Sequence, residues 1–122
     1  CPKSAEEELA MLRRNVENDN PAAVCHLGSS YETGEYGLVP SYKKAARLYQ
    51  RAADLGDVIA MYGIGCLHDR GQGVKLNKKK AVKLYQQAHE AGHADATFYL
   101  GSIEYTVYLA EKKLREAAEA VD

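Results

Sequence analysis

The sequence predicts an all-α fold, an α/α solenoid of antiparallel helix pairs with a long C-terminal helix. Three observations carry that reading. The first is repetition. Ala23, Leu27-Gly28, Tyr31, Gly34, Gly37, Ala45, Tyr49, Ala52-Ala53 and Gly56 return as Ala60, Ile64-Gly65, His68, Gly71, Gly73, Ala81, Tyr85, Ala88-His89 and Gly92. The interval is 37 residues before the first loop (Ala23 to Ala60) and 36 after it (Ala45 to Ala81), the size of one helix-turn-helix unit in a stacked array. The second is helical periodicity inside each copy: Ala45, Leu48, Tyr49 and Ala52 recur as Ala81, Leu84, Tyr85 and Ala88, at i, i+3, i+4 and i+7. The third is punctuation, with glycine stops followed within a few residues by Ser, Asn or Asp starts.

The elements follow in order. Ser4 with Glu7 forms a capping box and opens a helix over 4–19 with Leu9, Leu12 and Val16 as its apolar stripe. Asn20 caps the next helix, Pro21 takes its first position, and Gly34 supplies the left-handed residue after Thr33. Ser41 caps a helix over 42–55, stopped by Gly56. Asp57 caps one stopped by Gly71, and Asn77 caps one over 78–91, stopped by Gly92. The links Gly56-Asp57 and Gly92-His93 are so short that successive helices must turn back on each other. One domain over 1–122 results: the N-terminal helix, repeat one over 21–56, repeat two over 57–92, and a partial third repeat over 93–122.

That third copy opens at Ala96 and Leu100-Gly101 but has Val107 where Gly34 and Gly71 act as stops. From Ser102 onward there is no Gly and no Pro. Small and apolar residues recur at Leu100, Ile103, Val107, Ala110, Leu114, Ala117 and Val121, the alternating spacing of a helical seam. One continuous helix of about 25 residues is expected, nearly 40 Å long at about 1.5 Å per residue. The glycines of Leu27-Gly28 and Ile64-Gly65 lie inside helices, where each costs about 1 kcal/mol against Ala. Their return in register predicts close approach of a neighbouring helix backbone.

At these residues the chain resembles a Sel-1-like repeat protein, a branch of the tetratricopeptide-like superfamily. The best-matching stretch is Gly71-Gln72-Gly73-Val74, Lys80-Ala81, Tyr85, Ala88 and Gly92, and the likeness runs from about residue 22 to 101. His68 stands where Tyr is usual, His89 where the second Ala is usual, and Gly37-Leu38 replaces Gly-Val. The resemblance implies an α-solenoid adaptor or scaffold with no catalytic activity of its own and no cofactor.

Composition narrows the function classes. The net charge is -1, so no global field favours nucleic acid or an anionic membrane. No apolar run approaches the ~20 residues of a membrane span, and no signal peptide is legible. The chain begins at Cys1-Pro2, compatible with the end of a preceding zinc finger and with trimming from something longer. Three widely spaced cysteines, Cys1, Cys25 and Cys66, argue against a disulfide framework and fit a reducing, cytoplasmic-like compartment. Lys78-Lys79-Lys80, with Lys75 and Lys83, reads as a solvated helix flank; a phosphate or acidic-partner site is the alternative.

Catalytic chemistry finds no footing. His89 and His93 are four apart, but Gly92 between them should end the helix, and no further ligand joins them at a metal-binding spacing. Gly71-Gln72-Gly73 follows a helix and lacks the Gly-Lys-Ser/Thr ending of a phosphate loop. Cys25 aligns with Tyr62 and Phe98 as a core position, and His68 reads as a half-buried packing residue.

What remains is a surface. The first helix of each pair should line the concave side, leaving three triplets: His26, Ser29 and Thr33; Gly63, Cys66 and Arg70; Tyr99, Ser102 and Thr106. This trough is expected to take an extended peptide or a helix. The leading reading is therefore a non-catalytic protein-interaction module. The alternative is a structural or engineered repeat domain. Its Ile103, Val107, Ala110, Leu114, Ala117 and Val121 seam would cap the stack or pair two copies as a homodimer.

Overall fold

The computed structural model describes residues 4–121, so Cys1-Pro2 lies outside it. Its helices are α1 (Ala5–Glu17), α2 (Pro21–Thr33), α3 (Tyr42–Asp54), α4 (Val58–Arg70), α5 (Lys78–Glu90) and α6 (Ala94–Ala120), with a 3-10 turn at Glu35–Gly37. Each start is held by the capping side chain read from the sequence. Ser4 accepts from Glu7 N–H, Asn20 from Ala23, Ser41 from Lys44, Asp57 from Ala60 and Asn77 from Lys80. At α6 His93 plays this part, its Nδ1 accepting from Ala96 N–H at 3.2 Å. Gly34 and Gly71 end α2 and α4 in the left-handed region, at φ 82° and 68°.

α2 packs on α3 and α4 on α5, and these two pairs stack through α3 against α4. α1 covers α2 and the 3-10 turn, while α6 lies on α5. Matching backbone bonds tie each long loop to its own pair: Ser41 N–H donates to Tyr31 O at 2.8 Å, and Asn77 N–H to His68 O at 2.9 Å. A continuous core runs from Leu12 and Val16 through Val24, Leu27, Ala45, Tyr49 and Ala52 to Ile64, Leu67 and Leu84. A smaller cluster of Ala81, Tyr85 and Leu100 joins α5 to α6. Arg51 anchors α1, donating to Val16 O at 2.8 Å and pairing with Asp19.

Three expectations change. The mid-helix glycines are pressed by side chains rather than by a helix backbone. A Cβ on Gly28 would sit 3.0 Å from the Tyr49 ring and 3.3 Å from Leu48 Cβ, and one on Gly65 would sit 3.0 Å from Tyr85 and 3.3 Å from Leu84 Cβ. His68 is buried, at 8% exposure, rather than half-buried. Its Nδ1 lies 3.3 Å from Lys75 O, a backbone partner that the periodicity could not show. Finally, α6 is one helix of 27 residues, but only the first part of its seam packs. Leu100 is buried and Ile103 half-buried, whereas Val107, Ala110, Leu114, Ala117 and Val121 are exposed, because no described element reaches past the start of α5 to cover them.

Candidate interaction surface

The first helices of the two pairs, α2 and α4, leave a groove of about 290 Å³ between them. α2 contributes Cys25, Ser29 and Glu32, which share one face at i, i+4 and i+7. α4 contributes Ile59, Tyr62, Gly63, Cys66 and Arg70 from the same periodicity, and Tyr49 of α3 forms the floor. Tyr49 reaches the groove because glycine stands on both sides of its ring: at Gly28, and at Gly63, where a Cβ would lie 3.3 Å away.

The Tyr49 hydroxyl donates to Glu32 Oε2 at 2.7 Å and so fixes that carboxylate on the groove wall. Burial, then Glu32, pushes the Tyr49 hydroxyl well above the ordinary tyrosine value. Burial, reinforced by the charge of Asp57, pushes the Cys25 thiol up to about 12, which leaves it protonated and a poor nucleophile at neutral pH. Cys66 accepts a bond from the Tyr85 hydroxyl at 3.5 Å. The groove therefore sets one anchored carboxylate, Glu32, and the exposed Arg70 guanidinium around the Tyr49 floor.

Of the sequence-derived triplets, the structure brings Ser29, Gly63, Cys66 and Arg70 together here. The others lie elsewhere. His26 turns to the 3-10 turn, its Nε2 3.2 Å from Glu35 and 3.3 Å from the Tyr36 hydroxyl. Thr33 is exposed and bonds Ser29 O. Tyr99 belongs to an aromatic cluster between α4, α5 and α6, stacked on Tyr85 at 6.0 Å and 5.9 Å from Tyr62. Ser102 and Thr106 line a separate hollow of about 280 Å³ with Asp69, Lys78 and Val107.

Cys25, Glu32, Tyr49, Ile59 and Tyr62 are groove residues that the triplets missed. Glu32 follows Ser29 by three, and Ile59 and Tyr62 precede Cys66 by seven and four, so the same periodicity contained them; their apolar or charged character disguised them as core or solvated face. His93 caps α6 and packs, while His89 is exposed and hydrogen-bonded. His89 Nδ1 lies 2.6 Å from the Thr97 hydroxyl, and His93 stacks on Tyr62 at 4.6 Å.

Comparison with known proteins agrees with this architecture. The Sel1 repeat family model matches residues 21–57 and 58–93. No curated protein matches the chain. Among solved structures, a Sel1 repeat protein from Oxalobacter formigenes is similar at TM-score 0.75 and 31% identity, over 80% of this chain and 40% of that one. Cysteine rich protein B of Helicobacter pylori is similar at TM-score 0.72 and 30% identity, over 78% of this chain and 71% of that one. The protective antigen c5321 of uropathogenic Escherichia coli shares the fold at TM-score 0.78 and 23% identity. That match covers 85% of this chain and 22% of the antigen.

Proposed function

The chain belongs to the Sel1 repeat family, and from that premise we propose that it is a non-catalytic interaction module whose groove between α2 and α4 seats a peptide or a helix. Sel1 repeat proteins generally mediate protein–protein interactions. The observation that carries the finer reading is the groove itself. Its small residues, Ser29, Gly63 and Cys66, keep it open, and Tyr49 floors it. Glu32 on one wall and Arg70 on the other give a ligand's polar groups oppositely charged partners. Exposed Ile59 adds an apolar contact. Such a site recognises a main chain by hydrogen bonds and one or two side chains by fit.

Selection of peptides from a displayed library on the folded chain tests this. Selected peptides should lose most of their affinity to the double variant Ile59→Asp with Arg70→Glu, whose circular dichroism should be unchanged. They should also shield Cys66 from alkylation in a Cys1→Ser background. Unchanged affinity in the double variant, or no shielding of Cys66, places the site elsewhere.

A second reading rests on α6. Beyond Val107 the helix exposes Leu114 and Val121, and Tyr105 and Tyr108 stack on each other in the open at 6.4 Å. A second copy is the occupant such a seam fits. Light scattering over a dilution series should show a mass falling from dimer to monomer, and a monomer at every concentration rejects pairing.

A further inference from the structure

The second helices carry a feature that the groove between α2 and α4 does not use. α3 and α5 hold Lys43, Lys44, Arg47, Arg51, Lys78, Lys79, Lys80 and Lys83, eight of the chain's 16 Lys and Arg, against only Asp54 and Glu90 of its 17 Asp and Glu. A chain of net charge -1 thus presents a strongly basic face. Some of these cations are already engaged. Arg51 pairs with Asp19, Lys78 pairs with Asp69, and Lys44 sits over the Tyr31 ring at 5.3 Å. Lys43, Arg47 and Lys80 have no such partner among the described residues.

Those three line one cleft of about 450 Å³ between α3 and α5. Lys43 and Arg47 lie one turn apart on α3, and Lys80 faces them from α5. The floor is apolar, built from Ile64 and from Val74, which packs against the core. Among the described residues no carboxylate lines the cleft. Gly73 closes one end so near the start of α3 that a Cβ there would meet Tyr42 backbone at 2.4 Å, which fixes the end wall.

We propose that this cleft is a second docking site, one that takes an acidic peptide segment. An apolar side chain rests on Ile64 and Val74, and flanking carboxylates pair with Lys43, Arg47 and Lys80. Charge complementarity selects the partner: three unpaired cations around an apolar floor attract carboxylates and reject basic segments. A nucleic acid fits less well. Its phosphates would leave the apolar floor unused, and among the described residues no Phe, Tyr or Trp lines the cleft; its one ring, His68, is buried and held beside Lys75 O, out of reach as a stacking platform.

The test uses a fluorescein-labelled peptide alternating Glu and Leu, titrated against the folded chain by anisotropy at low and high salt. Binding should weaken at high salt, and by at least about tenfold in the triple variant Lys43→Glu, Arg47→Glu, Lys80→Glu. The milder Lys43→Gln, Arg47→Gln, Lys80→Gln variant should weaken it by less. Arg70→Glu, in the other groove, should leave it unchanged, which separates this site from the one proposed above. Replacing the peptide's Leu by Ser should also weaken binding. Equal affinity in wild type and both triple variants overturns the proposal, as does tighter binding of a single-stranded RNA of the same length at the same residues.

Discussion

The two closed helix pairs and the open end of the stack put one repeated residue to opposite use. Gly28 and Gly65 each receive the ring of a tyrosine from the partner helix, Tyr49 and Tyr85. Gly101 stands in the same register, yet a Cβ there would meet no atom of the described residues within 4 Å. Its neighbours have changed accordingly. The helix face formed by Val24, Leu27, Gly28 and Tyr31 in the first copy, and by Met61, Ile64, Gly65 and His68 in the second, becomes Thr97, Leu100, Gly101 and Glu104 in the third. Two polar residues now edge an open hollow of about 450 Å³. A mid-helix glycine is thus a stabilising choice only when a second helix uses the space. Without that helix it remains a local weakness.

Perturbations of decreasing size probe the closed pairs and the open end. The largest is alkali. Burial raises the hydroxyls of Tyr49, Tyr62 and Tyr85 above their ordinary value of 10, with Glu32 next in effect for Tyr49 and Cys66 for the other two. A folded value above the unfolded one means that these groups favour the fold fully below about pH 10 and progressively less as pH rises above it. Part of the phenolate absorbance at 295 nm should therefore appear only as helicity at 222 nm is lost. Ionisation of all nine tyrosines with helicity intact contradicts the packing of these rings.

Next in size is Gly65→Val. The Tyr85 ring is 1% exposed and lies 3.0 Å from a Cβ at this position, so overpacking should cost about 1–3 kcal/mol in urea denaturation. A value near zero would mean that the pair is looser than described. Asp57→Ala removes the cap of α4 and should cost about 1 kcal/mol in the same measurement. Smallest is Leu114→Ser on the exposed part of α6, where the monomer's stability should move by less than about 0.5 kcal/mol. A larger loss at low protein concentration would show that the α6 seam is covered after all.

Much of this architecture was legible because the repeat and the caps are local signals. Ser4, Asn20, Ser41, Asp57 and Asn77 each bond an N–H three residues on, and the glycine stops need only their own φ. The candidate site was legible in part. The triplets located Ser29, Gly63, Cys66 and Arg70, but a register cannot show which neighbour fills the space above it. Tyr99 has the spacing of a groove residue, and Tyr85 draws it into packing. His26 also has that spacing, but the extra residue in Glu35-Tyr36-Gly37 brings Glu35 and Tyr36 beside its ring. Tyr49 is invisible to a reading by triplets because it comes from the other helix of its pair.

The recurrent glycine serves a tyrosine from the partner helix, and paired melts of Gly65→Ala and Gly101→Ala put this to the test. At Gly101 alanine meets only solvent, so the better helix former should stabilise by about 1 kcal/mol and raise Tm by roughly 4 °C. At Gly65 the new methyl meets Tyr85 at 3.0 Å and Leu84 Cβ at 3.3 Å, and the gain should disappear or reverse. Equal rises at the two positions would contradict the account, as would a fall at Gly101 to match that at Gly65.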